Sequence, residues 1–355
     1  MHAWLGRLAL AVTCLFGADV LSVDEAAGEP SRPPYPVGVK TVEHRDVRQP
    51  SRVMVMSVFY PAVDQAPSAR PLALPFQVGI TVYLDANIAF DGARYPLIML
   101  SHGRGGNRFN QAWLAQYLAS HGYIVASVDH HMANTYSASI EYLASRIWQR
   151  PVDISASVTY LLKDEAWRRY VDAGRIGVAG FSQGGFTALW IGGARVNRDR
   201  FLAFQRRWAD DPVLPPYVKK RLPVSASPAL HVHDPRVKAV FAMAPGVITA
   251  FGFDEAGLGH LRVPTYIIAG AADSVVPVVD NAELAARHIP GARLTILPGP
   301  VQHYVFMNEC DAEGRAEFLE ACGDDPSVDR AALHQFIGSE ALRFFDSSLG
   351  IARGR

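Results

Sequence analysis

The sequence predicts an α/β protein: a mostly parallel eight-stranded sheet with helices on both faces and a helical insertion after the helix that follows the fifth strand. Three observations carry this reading. Short β-branched runs alternate with longer amphipathic stretches along the 355 residues, the order that builds parallel sheets. The later runs are almost continuously apolar, as strands covered on both faces are. A Gly-x-Ser-x-Gly segment, Gly180-Phe181-Ser182-Gln183-Gly184, joins one such run to a helical one. Hydrophobic residues make up 49% of the chain, enough for a sizeable core and too many for general disorder. Lys+Arg and Asp+Glu are 34 each, a net charge of zero. A nucleic-acid partner would call for a basic excess or a basic face, so none is expected.

Taken in order, residues 37–43 and 53–60 read as an antiparallel pair of strands separated by 44–52. Six further strands follow at 97–100, 124–128, 176–179, 237–242, 265–269 and 294–297. Helical patterns fall at 111–120, 154–162, 186–191, 281–288 and 331–349. In the last of these Leu333, Ile337, Ala341, Phe344 and Phe345 recur at spacings of three and four, one stripe of a helix. The Pro-rich stretch 64–95 reads as irregular surface. The stretch 196–236 is charged and interrupted by Pro212, Pro215 and Pro216, and reads as an insertion. Its Phe201, Phe204 and Trp208 share one helical face. They either pack on the body of the protein or roof the site.

The N-terminus carries an apolar run over 8–16 after Arg7. It is shorter than the ~20 residues a spanning helix needs and fits a signal peptide over 1–22, although no clear Ala-x-Ala cleavage site is present. The alternative is an apolar helix of a cytosolic protein. A Pro/Gly-rich linker over 23–36 would then lead into one domain over 37–349, secreted or periplasmic. Cys14 would leave with the signal peptide. Cys310 and Cys322 remain, an even number that reads as one disulfide in an exported protein and as two thiols in a cytosolic one.

Chemistry centres on Ser182. In a strand–turn–helix setting, Gly-x-Ser-x-Gly is a nucleophile elbow: the flanking glycines permit close backbone approach, and the helix start offers free N–H groups. A serine hydroxyl needs a base to become a nucleophile, and the base needs an acid to orient it. Asp273 follows the seventh strand and His303 the eighth, in the order Ser…Asp…His. Read alone, Asp273 is also a possible helix cap and His303 a surface loop residue. The oxyanion of an acyl-transfer intermediate needs two donors. The backbone N–H of Gln183 and of Arg104, in Ser101-His102-Gly103-Arg104-Gly105-Gly106, are the candidates. The Arg104 guanidinium itself would face solvent or an anionic substrate. Other candidates are weaker. Asp254 reads as a turn residue and Asp280 as a helix cap. His130 and His131 read as structural or pocket-lining. His231 and His233 lack a third ligand at metal spacing, so no metal is expected.

These motifs, with Val58-Phe-Tyr-Pro-Ala62, Ser120-His-Gly-Tyr123, Arg150-Pro-Val-Asp153 and Asp234-Pro-Arg-Val-Lys-Ala239, make the chain resemble an α/β-hydrolase. More narrowly, it is similar to bacterial dienelactone-hydrolase-like proteins related to platelet-activating-factor acetylhydrolases. The resemblance implies a cofactor-free serine esterase. It departs from the family at Phe181, where His is frequent, and at Arg104, where an apolar residue is frequent. Dienelactone hydrolase itself uses a cysteine nucleophile, which Ser182 argues against. The expected function is hydrolysis of small or soluble short-acyl esters through an acyl-enzyme. A cutinase-like hydrolase of polyesters or longer acyl chains, for which a polymeric ester is the partner, is the alternative within enzymes. A non-catalytic binding protein of the same fold is the alternative outside them.

Overall fold

The computed structural model describes residues 35–63, 70–222 and 230–352. The expected signal peptide, Cys14, nearly all of the expected linker and residues 223–229 of the expected insertion lie outside them. Among the described residues ten strands form one sheet: β1 Val37–Asp46, β2 Gln49–Pro61, β3 Arg70–Pro71, β4 Tyr83–Leu84, β5 Tyr95–Ser101, β6 Ile124–Asp129, β7 Val171–Phe181, β8 Val237–Met243, β9 Thr265–Gly270 and β10 Arg293–Leu297. Their order is β10-β9-β8-β7-β5-β6-β2-β1-β4-β3. From β6 to β10 all neighbours run parallel. Strand β2 joins β6 and β1 antiparallel.

Eight of these are the expected strands. The two-residue β3 and β4 are additional and fall in the stretch read as irregular. Strand β4 extends the sheet edge by pairing Tyr83 with Gly38 and Leu84 with Val39. The β1–β2 hairpin is also longer than the apolar pattern suggests. His44, Asp46 and Arg52 interrupt that pattern, yet all three are buried in strands. Polar partners explain this: His44 Nε2 lies 2.9 Å from the Ser157 hydroxyl, Arg52 pairs with Asp153, and Asp46 accepts from the Arg48 backbone N–H at 2.8 Å.

The helices are α1 Ala112–Ser120, α2 Gln149–Lys163, α3 Gln183–Gly192, α4 Arg198–Ala209, α5 Pro216–Lys219, α6 Glu255–Leu258, α7 Ala282–His288, α8 Ala312–Glu317, α9 Leu319–Cys322 and α10 Arg330–Ser348. They cover both faces of the sheet. Leu118, Ile337 and Phe345 from α1 and α10 pack with Ile98, Leu100 and Phe241 on one side. Ile154, Phe186 and Ala285 from α2, α3 and α7 pack with Met99, Val178 and Val240 on the other. Alternate residues of each central strand thus feed two cores, which is why these strands read as unbroken apolar runs. Helix α2 starts five residues earlier than expected, because buried Arg150 and Asp153 disguise its first turn. Pro151 is tolerated there, where its missing N–H is no loss. Asp254 is the N-cap of α6, accepting from Gly257 N–H at 2.7 Å, and is more than a turn residue. Asp280 does not cap α7. It ends a 3₁₀ turn, and Asn281 stands at the N-cap instead.

The expected insertion contributes α4 and α5. Phe201 and Phe204 of α4 are buried among Trp190 and Phe251, so this face packs on the body. Trp208, one turn on, is partly buried and carries the Arg104 guanidinium 5.0 Å from its ring centroid.

Cys310 and Cys322 are bonded and close a loop holding α8 and α9. Arg330 supports the same loop through Asp324 at 2.7 Å and the carbonyls of Asn308 and Ala321 at 3.0 Å each. Closing so short a loop is worth roughly 2–3 kcal/mol in the chain-entropy account. Reduction should therefore lower the unfolding free energy by about that amount and move the urea midpoint down. An unchanged midpoint would mean that the Arg330 contacts alone hold the loop.

Candidate active site

Ser182 ends the β7 run and begins α3 with φ 55° and ψ −120°, a strained conformation for a residue with a side chain, costing ~1–3 kcal/mol. The surroundings enforce it. Ser182 N–H bonds the Met243 carbonyl at 2.9 Å, and its carbonyl accepts from Phe186 and Gly246 at 3.1 and 3.2 Å. A Cβ on Gly180 would sit 2.1 Å from the Gly184 carbonyl oxygen, and one on Gly184 only 1.9 Å from that of Ser101. Glycine is required at both positions, and the first turn of α3 touches the backbone at the end of β5.

Asp273 and His303 lie on the loops after β9 and β10, and both are buried. Asp273 Oδ1 accepts the backbone N–H groups of Val275 and Val276 at 3.0 and 2.8 Å. Its Oδ2 lies 2.6 Å from His303 Nδ1. A carboxyl group with three donors around it fixes the ring, with Nδ1–H donated and Nε2 left as an acceptor. The Phe181 ring packs on His303 with centroids 4.7 Å apart. The His303 turn is anchored from below: Trp113 Nε1 donates to the Phe306 carbonyl at 2.9 Å, and His334 Nε2 bonds that of Val305 at 2.8 Å.

Ser182 and His303 line one cavity of about 510 Å³, together with Arg104, Gln183, Phe251 and Val276. Neither the Arg104 nor the Gln183 backbone N–H has an internal acceptor among the described residues. The Arg104 guanidinium stacks on Trp208 rather than standing free, and burial lowers its pKa. The disulfide loop supplies Glu320 and Ala321 to the same wall, with Glu320 accepting from the Tyr304 hydroxyl at 3.2 Å.

The structure separates the remaining candidates from this cavity. His130 is completely buried, with Nε2 2.8 Å from the Ser101 hydroxyl and Nδ1 3.1 Å from Asp153 Oδ2. That is a second Ser–His–Asp sequence of contacts, but Ser101 is fully buried and outside the cavity wall. His131 bonds the Val53 carbonyl at 3.1 Å. His231 and His233 line a different cavity of about 570 Å³ with His260 and Arg195. Among the described residues no group of three His, Cys, Asp or Glu is arranged to hold a metal ion. No described helix is long and apolar enough to cross a membrane.

Over 93% of its length the chain superposes on 94% of a ferulic acid esterase from Streptomyces cinnamoneus, with a TM-score of 0.61 and 21% identity. The chain has the α/β-hydrolase fold. Residues 81–168 match the family described as platelet-activating factor acetylhydrolase, isoform II. That segment holds the Arg104 loop and α2 and stops before Ser182. A cutinase, est1, of Thermobifida alba is 26% identical over 56% of this chain and 49% of its own length. Cutinase est2 of the same organism is 34% identical over 28% of this chain and 31% of its own. The chain thus spans about half the length, or less, of the curated relatives it matches.

Four buried histidines share one electrostatic feature: burial, first, lowers the pKa of His44, His102, His130 and His334. That of His334 falls to about 4. An unfolded histidine takes its proton near ~6.5, so between that pH and about 4 the unfolded chain binds more protons and acid destabilises the fold. His334 alone should account for on the order of 3 kcal/mol across this window, fully retained above it. Urea unfolding of wild type and His334→Gln from pH 7 to 4 tests this. The variant should lose stability less steeply; parallel curves would contradict the assignment.

Proposed function

We propose that this hydrolase is a serine carboxylic-ester hydrolase, with Ser182 as nucleophile, His303 as general base and acid, Asp273 as its orienting carboxylate, and the backbone N–H groups of Arg104 and Gln183 as oxyanion donors. One observation carries the reading: His303, held through Nδ1 by Asp273, lines the same cavity as Ser182. In the reaction, His303 Nε2 takes the Ser182 hydroxyl proton as Oγ bonds the ester carbonyl carbon. The carbonyl oxygen becomes an anion between the two N–H groups. As the C–O bond to the alcohol breaks, His303 returns the proton to the leaving oxygen. Water then loses a proton to His303 and attacks the acyl carbon, releasing the acid and restoring the Ser182 hydroxyl. No cofactor is needed.

The favoured substrates are small or soluble short-acyl esters. The walls at Phe251, Val276 and Met307 bound a cavity of limited volume, and each methylene left in water forgoes about 0.8 kcal/mol of favourable transfer. The similarity to cutinases keeps a second reading, cleavage of polyesters or longer acyl esters. The disulfide supports an exported protein, as does the expected signal peptide.

On p-nitrophenyl esters, kcat/KM should be highest from acetyl to butyryl and fall at dodecanoyl. A rise to long chains, or monomer release from a solid polyester, would establish the second reading. Ser182→Ala and His303→Ala should each lose roughly 10⁴-fold or more in kcat, because nucleophile and base act as a unit. Retention of activity in either variant would refute the assignment.

A further inference from the structure

We propose that Arg150 is a positioning residue that fixes the spacing of the two oxyanion donors by clamping the loop and the helix turn that carry them. The proposal rests on the ester-hydrolase reading above. Arg150 lies in the first turn of α2 and is 2% exposed. Its Nη2 donates to the His102 carbonyl, two residues before Arg104, and to the Ser101 hydroxyl at 3.3 Å. Its Nε donates to the Thr187 hydroxyl at 3.2 Å. That hydroxyl in turn donates to the Gln183 carbonyl at 2.8 Å. One planar guanidinium therefore reaches both halves of the oxyanion site, the 101–106 loop on one side and the first turn of α3 on the other.

The rest of the network makes this clamp stiff. The two halves already touch where Gly184 meets the Ser101 carbonyl. His102 Nδ1 holds the Gly103 carbonyl at 2.6 Å. Its Nε2 accepts from the His130 backbone N–H at 3.4 Å, which sets the neutral tautomer. Ser101, His130 and Asp153 run from the clamp back to α2, and Asp153 also takes Arg52. A buried cation without such acceptors would be costly. Here burial pulls the Arg150 pKa down to about 9 and Asp153 opposes the shift. A planar fork of donors suits two divergent acceptors, which a lysine cannot span.

The test uses the full-length enzyme, with active sites counted by fluorophosphonate titration. Per active site, Arg150→Met should lose roughly 10²-fold in kcat, comparable to removing an oxyanion donor, with KM changed by less than about threefold. The affinity of an alkylboronic acid, which forms a tetrahedral adduct, should fall by the same factor as kcat/KM. The affinity of a non-reacting ether isostere should hold. Arg150→Lys should not restore kcat. Thr187→Val removes the arm to α3, and Ser101→Ala removes the longer of the two contacts to the loop, both without removing the cation. They should lose kcat and boronate affinity in parallel, and they decide the matter if Arg150→Met does not fold. Wild-type kcat per active site in the arm variants, or equal weakening of boronate and ether, would overturn the proposal. An inactive wild type that also resists fluorophosphonate would instead refute the ester-hydrolase reading.

Discussion

Everything at the cavity depends on one contact between backbones. The chain leaves β7, turns at Ser182 with positive φ, and enters α3 so close to the end of β5 that Gly184 has no room for a Cβ against the Ser101 carbonyl. This approach brings the Gln183 N–H beside the loop that bears Arg104. It also points the start of α3, with its positive end, at the cavity. The strain at Ser182 is balanced by its backbone bonds to Met243 and Gly246, so β8 is as much part of the turn as β7. The loops after β9 and β10 then need only deliver Asp273 and His303 to the carboxyl edge of the same sheet, where ligand crevices of open parallel sheets lie.

Beneath that edge the protein buries charge instead of apolar bulk. Arg52, Arg150 and Asp153 are all under 4% exposed, and His102 and His130 are fully covered. The His102 carbonyl needs a buried donor, and Arg150 of α2 provides it. Asp153 of the same helix accepts Arg52, which is why β2 tolerates that charge. Around the cavity rim the cross-links differ: Trp208 carries Arg104, and the disulfide loop carries Glu320 to Tyr304.

The positions of the eight longer strands and the turn at Ser182 were legible from the residues because the physics behind them is local. A strand covered on both faces must be apolar throughout, and Gly180 and Gly184 announce a turn without space. Asp273 and His303 were legible from their place just after strands. The β1–β2 hairpin and the start of α2 were not, since His44 meets Ser157 and Arg52 meets Asp153 across more than a hundred positions, and each looks like a surface residue when read alone. The dipeptide strands β3 and β4 carry no periodic signal at two residues each. The aromatic face of α4 showed its spacing in the sequence, but only packing separates Phe201 and Phe204, which face the body, from Trp208, which meets Arg104.

The most direct measurement of the central claim is mass spectrometry of the enzyme quenched in acid during turnover of a short-acyl ester. Peptides from the quenched sample should carry one acyl group on Ser182 and on no other residue, and the adduct should vanish when substrate is exhausted. An acyl group on another side chain, or turnover with no adduct at any time after mixing, would contradict the account.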